Sequence, residues 1–203
     1  MRVFNRQVIL LGVLGWLLGG CATNEVQTPP PPPLAPSRAA VLNEPWLLVD
    51  TKADNLVIMR GQQPVQVFRK VALGSSGAGL KFARGDNKTP LGVFRVGWIN
   101  DHSRFKKFIG LDYPNLDYAE QALREHRIDR LTYERIRAAW VNGRTPPQDT
   151  PLGGQIGIHG IGFGDPSVHS AGINWTSGCV ALDNGQIDAL RPWVRVGMRV
   201  EIR

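Results

Sequence analysis

The sequence is poor in cysteine. Of its 203 residues only Cys21 and Cys179 are cysteines, and neither belongs to a C-x-x-C pair. His159 and His169 precede Cys179 at even spacing, but the closely spaced ligand pairs typical of a zinc site are missing. Zinc binding is therefore the weaker alternative, and we expect a protein that uses neither a metal nor another cofactor.

Long apolar runs and basic clusters are also absent. The apolar run Val8–Leu18 is shorter than the roughly 20 residues of a membrane-spanning helix. The net charge is +7, but no basic cluster is interleaved with aromatic residues, so we expect no nucleic-acid partner. No internal repeat is visible. The residues from 42 to 203 are enough for one domain with a hydrophobic core, and we expect a monomer.

The N-terminal segment has the pattern of a bacterial export signal. Arg2 and Arg6 give a basic start, an apolar stretch follows, and the tripeptide GGC supplies small residues at a cleavage point. This ending resembles a lipobox. We therefore expect a lipoprotein signal peptide over residues 1–20 and acyl chains on Cys21. We expect the chain at the periplasmic face of a bacterial membrane, and Ala22 is compatible with sorting to the outer membrane. An uncleaved anchor with an incidental cysteine is the alternative.

Residues 21–41 are rich in proline and predict a lipidated tether. Consecutive prolines favour an extended polyproline II spacer and cannot build a core. Exported proteins usually pair their cysteines, but lipidation of Cys21 would leave Cys179 without a partner. Cys179 is then either a buried apolar residue or a nucleophile.

The domain alternates short apolar runs with glycine-rich turns, a pattern that favours β-strands. Predicted strands cover Trp46–Val49, Leu56–Met59, Val65–Val71, residues 89–99, Ile156–His159 and the segments GCVAL and MRVEIR.

One segment, about 116–147, has helical patterns instead. A cap at Asp117 is predicted for its first helix and a cap at Thr132 for its second. Asn142 and Gly143 are expected to end the second helix.

Cys179 and His159 are the strongest candidates for catalysis. A cysteine nucleophile needs a base that takes its proton. His159 ends an apolar strand between small residues, whereas His169 lies in a predicted loop. We predict His159 as the base, with its second ring nitrogen donating to a backbone carbonyl such as that of Gly160. The amides of Gly178 and Cys179 are candidates for binding an oxyanion.

Three separated motifs resemble those of the L,D-transpeptidases, the YkuD-like catalytic domain. They are GDNKTPLGVF at 85–94, IHG at 158–160 and TSGCVALDN at 176–184. The segments LDYPN and PPQDTPLGGQIGIHG are also similar to the YafK-like branch of this family. The resemblance spans about residues 46–203. It implies a mainly β (α+β) fold, an L,D-transpeptidase-like β-sandwich with a short helical insert.

The resemblance also implies roles for individual residues. Cys179 matches the acylated nucleophile and His159 the general base. Oxyanion or positioning roles fall to Gly178, Gly160, Ser177 and Thr176. Contacts with the substrate are predicted for Trp175, Asn184 and His169.

Two positions depart from the family pattern. Ser177 stands where many members have histidine, and Ala181 stands where many have arginine or asparagine. These departures bear on the acceptor more than on the acylation. Lys81, Arg84 and Lys88 are interpreted as solvated surface charges, and contacts with stem-peptide carboxylates are the alternative.

The implied reaction acts on peptidoglycan stem peptides. The Cys179 thiolate attacks the carbonyl of the third stem residue, D-alanine leaves, and the acyl-thioester passes to an amine in cell-wall crosslinking or remodelling. A wall-attached lipoprotein is a second candidate partner. With water as acceptor, the same site is an L,D-carboxypeptidase or an amidase that releases wall-bound lipoprotein. A non-catalytic wall-binding lipoprotein is the remaining alternative.

Overall fold

The computed structural model describes residues 43–203. The predicted signal peptide, the tether and the lipidation site Cys21 lie outside the described residues. Within the described part, no helix combines the length and the apolar character that crossing a membrane requires.

Ten strands, four α-helices and one 3-10 helix (Arg191–Trp193) make up the described part. The strands are β1 (Pro45–Asp50), β2 (Asn55–Arg60), β3 (Gln63–Arg69), β4 (Ala78–Gly79), β5 (Thr89–Pro90), β6 (Gly92–Ser103), β7 (Lys106–Leu111), β8 (Gly157–Gly160), β9 (Val180–Leu182) and β10 (Arg199–Ile202). The helices are α1 (Leu116–Arg124), α2 (Arg130–Val141), α3 (Pro166–Ser170) and α4 (Asn184–Leu190).

Eight of the strands form one sheet in the order β3-β2-β1-β10-β6-β7-β8-β9. The long strand β6 belongs to both halves of this sheet. Its first part, from Gly92 to Arg95, pairs with β10, and the part from Val96 onward pairs with β7. The β6–β7 register shifts between Val96 and Trp98. Irregularities of this kind bend a strand, so the two halves can fold over a shared core.

The two edges of the large sheet meet. Ala72, which follows edge strand β3, exchanges two backbone hydrogen bonds of 2.9 and 2.7 Å with Ala181 in the opposite edge strand β9. The sheet therefore encloses one apolar core. That core includes Leu47, Ile58, Phe94, Ile109, Ile158 and Val200. The predicted mainly β (α+β) fold with a short helical insert is confirmed.

The two helices of the insert begin earlier than their sequence patterns predict. The side chain of Asn115 accepts a hydrogen bond from the Tyr118 amide and caps α1, and Asp129 caps α2 by accepting from the Thr132 amide. The predicted caps were therefore wrong by two and three residues, because an asparagine or aspartate further upstream reaches the open amides first. The second helix ends at Asn142, as predicted.

The insert has its own small core, separate from that of the sheet. Its buried members are Ala119, Ala122, Ile128, Ile136 and Leu152. Because Leu152 follows the insert and leads to β8, this core also holds the chain where it enters β8.

Replacing Ile136 by alanine should lower the free energy of unfolding by about 2–5 kcal/mol, because it empties part of a small core. Urea denaturation followed by circular dichroism measures the change. Leu131→Ala on the same helix is the matched control. Leu131 is 69 % exposed, so its loss should be below about 0.5 kcal/mol. Equal losses for the two variants would contradict this packing of α2.

Candidate active site

Both predicted catalytic residues line one cleft of about 500 Å³. His159 is the third residue of β8, and Cys179 immediately precedes β9. The two strands are parallel neighbours, with Ile158 opposite Val180 and His159 opposite Ala181. Because Cys179 lies two residues before Ala181, its thiol faces the same side of the sheet as the imidazole of His159.

The imidazole of His159 is held in one orientation. Its Nδ1 lies 2.7 Å from the carbonyl oxygen of Gly160. A carbonyl oxygen can only accept, so Nδ1 carries the proton and Nε2 is left as the acceptor. A Cβ atom at position 160 would lie 2.8 Å from Asn184 Oδ1, Ile187 Cγ2 and Phe105 O, so only glycine fits there.

Aromatic rings enclose the imidazole. Phe105 stacks on it with ring centroids 4.2 Å apart, Phe108 lies at 5.9 Å, and Trp175 meets it edge-on at 5.8 Å. This burial is the main reason why the pKa of His159 is lowered to about 4. The hydrogen bond to the Gly160 carbonyl raises the pKa, and the positive charge of Arg104 lowers it. His159 is therefore neutral at pH 7.

The thiol of Cys179 is also in its neutral form. Burial raises its pKa to about 11, although the Gly157 backbone and the charge of Lys81 act in the opposite direction. The Sγ donates to the carbonyl oxygen of Gln155 at 3.4 Å. Gln155 has a φ of 55°, uncommon for a residue other than glycine, and this conformation orients its carbonyl. The resting site is thus a neutral thiol and a neutral imidazole.

The Thr176 hydroxyl fixes the backbone around the nucleophile. It donates to the Cys179 carbonyl oxygen at 2.7 Å and accepts from the Gly178 amide at 3.0 Å. The Gly178 amide is therefore already engaged. No acceptor for the Cys179 amide is found within residues 43–203. Of the two amides considered as oxyanion donors, only that of Cys179 is available.

The segment 85–94 supports this loop from behind. Gly178 has a φ of 126°, and a Cβ atom there would lie 2.7 Å from the Lys88 carbonyl oxygen. The Thr89 hydroxyl accepts from the Gly74 amide at 2.8 Å and also reaches the Cys179 carbonyl at 3.4 Å. The segment 85–94 therefore acts by holding the loop of residues 176–179 in place.

A buried ion pair stabilises the same segment. Lys81 is 2 % exposed, and its ammonium lies 2.5 Å from the Asp86 carboxylate. The interpretation of Lys81 as a solvated charge was wrong, because sequence alone does not show that the chain folds back to bury it. Asp86 also accepts from the amides of Phe82 and Lys88. These bonds outweigh the effect of burial and keep the pKa of Asp86 below its ordinary value.

The other predicted site residues divide into two groups. Trp175 and Ser177 line the cleft beside Cys179. Asn184 and His169 lie outside its lining. The Asn184 side chain instead bonds both the amide and the carbonyl of Gly162, at 2.9 and 2.8 Å. His169 is buried on α3, where its Nδ1 has no hydrogen-bond partner among residues 43–203. Geometry gives no support to substrate contacts by these two residues.

Sequence reasoning missed one wall of the cleft. The hairpin of β6 and β7 contributes Trp98, Arg104, Phe105 and Phe108. The apolar run that ends β7 and the polar turn before it are signals of a hairpin, but nothing in the sequence places that hairpin beside β8. Within residues 43–203, no group of three or more histidine, cysteine, aspartate or glutamate side chains is arranged to hold a metal.

Residues 44–202 match the family model of the YkuD L,D-transpeptidase catalytic domain. The chain belongs to this family. The match covers nearly all of the described residues, including the Cys179 and His159 cleft. No curated protein matches the sequence significantly.

Three solved structures are similar to this L,D-transpeptidase domain. Bd1075 of Bdellovibrio bacteriovorus is 17 % identical and aligns over 82 % of this chain and 50 % of its own, with a TM-score of 0.52. The helical cell shape determining protein Pgp2 of Campylobacter jejuni is 19 % identical and aligns over 79 % of this chain and 48 % of its own, with a TM-score of 0.49. An L,D-transpeptidase from Mycobacterium smegmatis is 14 % identical and aligns over 79 % of this chain and 58 % of its own, with a TM-score of 0.42. The chain spans about half the length of the first two.

Replacing Thr176 by valine should destabilise the protein by about 1–3 kcal/mol, because the nearly isosteric side chain leaves the buried Gly178 amide without an acceptor. Urea denaturation measures the loss. Ser177→Ala is the matched control, since Ser177 is exposed and should change stability by less than about 0.5 kcal/mol. An unchanged midpoint for Thr176→Val would contradict the bridging role of the hydroxyl.

Alkylation of Cys179 by iodoacetamide should accelerate about tenfold per pH unit between pH 7 and 10, because only the thiolate reacts. The raised pKa of the Cys179 thiol keeps its thiolate fraction small throughout this range. Quenched time points analysed by mass spectrometry give the rate. A rate that is already constant between pH 5 and 7 would instead indicate a resting thiolate–imidazolium pair.

Proposed function

We propose that this chain is a cysteine-dependent L,D-transpeptidase that acts on peptidoglycan stem peptides. One observation carries the proposal. A thiol and an imidazole with a fixed tautomer, Cys179 and His159, share one cleft in a domain of the L,D-transpeptidase family. The nucleophile and its base are the minimum set for acyl transfer through a covalent intermediate.

The first half-reaction forms a thioester. As Sγ of Cys179 attacks the carbonyl carbon of the third stem residue, the thiol proton passes to Nε2 of His159. The tetrahedral intermediate then breaks its C–N bond to the terminal D-alanine. The leaving amine takes the proton from His159, and the donor peptide remains bound to Cys179 as an acyl-thioester. Because both groups are neutral at rest, the proton moves together with the attack rather than before it.

The second half-reaction releases the donor peptide. An acceptor amine attacks the thioester carbonyl and loses a proton to His159, and the sulfur leaves and is reprotonated by the imidazolium. A stem-peptide amine gives a crosslink, and a protein lysine gives an attached lipoprotein. Water as acceptor gives a shortened stem peptide, so transpeptidation and hydrolysis differ only in the group that reaches the thioester.

The Cys179 amide supplies the oxyanion donor in this scheme. This amide belongs to the residue whose thiol attacks. The Thr176 hydroxyl donates to the carbonyl of the same residue and so fixes the orientation of its backbone. A donor fixed before the reaction stabilises the developing charge without reorganising. In this proposal Thr176 and Gly178 are positioning residues, and Cys179 is both the nucleophile and the oxyanion donor.

The purified full-length chain in detergent should convert disaccharide-tetrapeptide into a crosslinked dimer with loss of D-alanine. Mass spectrometry of the products measures this. Cys179→Ala should form no product, and His159→Asn should lower kcat by about 100-fold or more, since its base is lost. His126→Asn, at an exposed position, is the matched control and should retain activity.

The products also separate the alternatives. Shortened tripeptide without dimer would identify water as the acceptor. Turnover that survives in the Cys179→Ala chain, or no turnover by the unmodified chain with any stem peptide, would overturn the proposal.

A further inference from the structure

Arg104 is the only charged side chain that lines the catalytic cleft within residues 43–203. It lies on the turn between β6 and β7 and is exposed. The other lining side chains are aromatic, neutral polar or the thiol itself. No carboxylate faces Cys179 or His159, so the cleft carries a net positive charge at its rim.

The nearby carboxylates are already engaged by other cations. Asp101 receives two hydrogen bonds from Arg191, at 2.6 and 2.9 Å. Asp188 pairs with Lys106 at 2.8 Å and with Lys107 at 3.5 Å. In the described part of the chain, no acidic group lies within ion-pairing distance of Arg104. Its charge is therefore available to a ligand.

The position of the guanidinium is defined rather than diffuse. It lies 4.7 Å from the centroid of the Phe105 ring, which stacks on His159 on the catalytic side. The backbone of the turn is also packed closely, because a Cβ atom at Gly162 would lie 2.1 Å from the Arg104 carbonyl oxygen. Cation, phenyl ring and imidazole thus form one stacked unit.

We propose that Arg104 binds a carboxylate of the peptide whose carbonyl is attacked by Cys179, and so helps to select the donor peptide. The guanidinium offers a planar fork that fits a carboxylate. The aromatic walls of the cleft lower the local dielectric and strengthen this contact. The inference rests on the proposed function and adds to it a specificity-determining residue outside the catalytic pair.

The test compares the full-length chain with its Arg104→Gln, Arg104→Lys and Arg60→Gln variants. Arg60 is exposed at the end of β2 and serves as a control for the loss of one charge. Each chain is assayed on three tetrapeptides: one with all carboxylates free, one with a C-terminal carboxamide, and one with its remaining carboxylates amidated.

Arg104→Gln should raise KM for the free-carboxylate peptide by about tenfold or more, the size of a lost charged hydrogen bond, with little change in kcat. Arg104→Lys should recover part of this loss, and Arg60→Gln should stay within about twofold. One of the two amidated peptides should be insensitive to Arg104→Gln, which identifies the carboxylate that Arg104 binds. An equal loss on all three peptides, or no loss on any, would overturn the inference.

Binding to the inactive Cys179→Ala chain separates this inference from the proposed function. Trp98 and Trp175 line the cleft, so their fluorescence should report binding of the free-carboxylate peptide. Binding that weakens in Cys179→Ala/Arg104→Gln, together with no turnover by the unmodified chain, would sink the transpeptidase proposal and leave only the contact between Arg104 and a peptide carboxylate standing. Turnover that does not depend on Arg104 would support the transpeptidase proposal and overturn the inference about Arg104.

Discussion

The parallel pairing of β8 with β9 is the constraint on which the site depends. It sets His159 opposite Ala181, two residues beyond Cys179, so backbone hydrogen bonds fix the spacing of the imidazole and the thiol. The bridge between Ala72 and Ala181 holds β9 from its other side. A strand of only three residues would be a weak support alone. Because β9 is hydrogen-bonded to β8 on one edge and to Ala72 on the other, a shift of its register would break both sets of hydrogen bonds.

The loop of residues 176–179 is held through contacts to its own backbone atoms. The hydroxyls of Thr176 and Thr89 both donate to the carbonyl of Cys179, and the Lys88 carbonyl packs against Gly178, where it leaves no room for a Cβ atom. The buried Lys81–Asp86 pair holds the turn that presents Lys88 and Thr89. A motif whose side chains never reach the cleft can therefore still determine where the sulfur lies.

Most of the strands could be predicted from sequence, because apolar runs between glycine-rich turns reflect local preferences that the tertiary fold keeps. Helix caps were harder. Asp117 and Thr132 matched a cap pattern, but Asn115 and Asp129 lie upstream and cap first. The spacing of residues in the sequence does not show which of two nearby side chains accepts the hydrogen bond from the first open amides of a helix. The path of the chain before the helix determines this.

The two candidate catalytic residues could be singled out from the sequence, but their surroundings could not. Cys179 and His159 are conspicuous as a lone thiol and a rigidly placed imidazole, and the tautomer expected for His159 is the one that the Gly160 carbonyl selects. The wall built by β6 and β7 depends on which strand lies next to β8, a long-range pairing that no local pattern encodes. Arg104 owes its importance to this neighbourhood and not to its sequence context.

One physical property of the cleft, its low polarity, has two opposite effects. The rings around His159 remove water and keep the imidazole and the Cys179 thiol neutral, which leaves no thiolate waiting in the resting site. The same rings reduce the screening of the Arg104 charge at the rim. A substrate carboxylate that neutralises this charge would also remove its repulsion of an imidazolium at 159. Burial and not Arg104 is the main cause of the low pKa of His159, so this gain in base strength is minor, and the charge of Arg104 bears on binding more than on proton transfer.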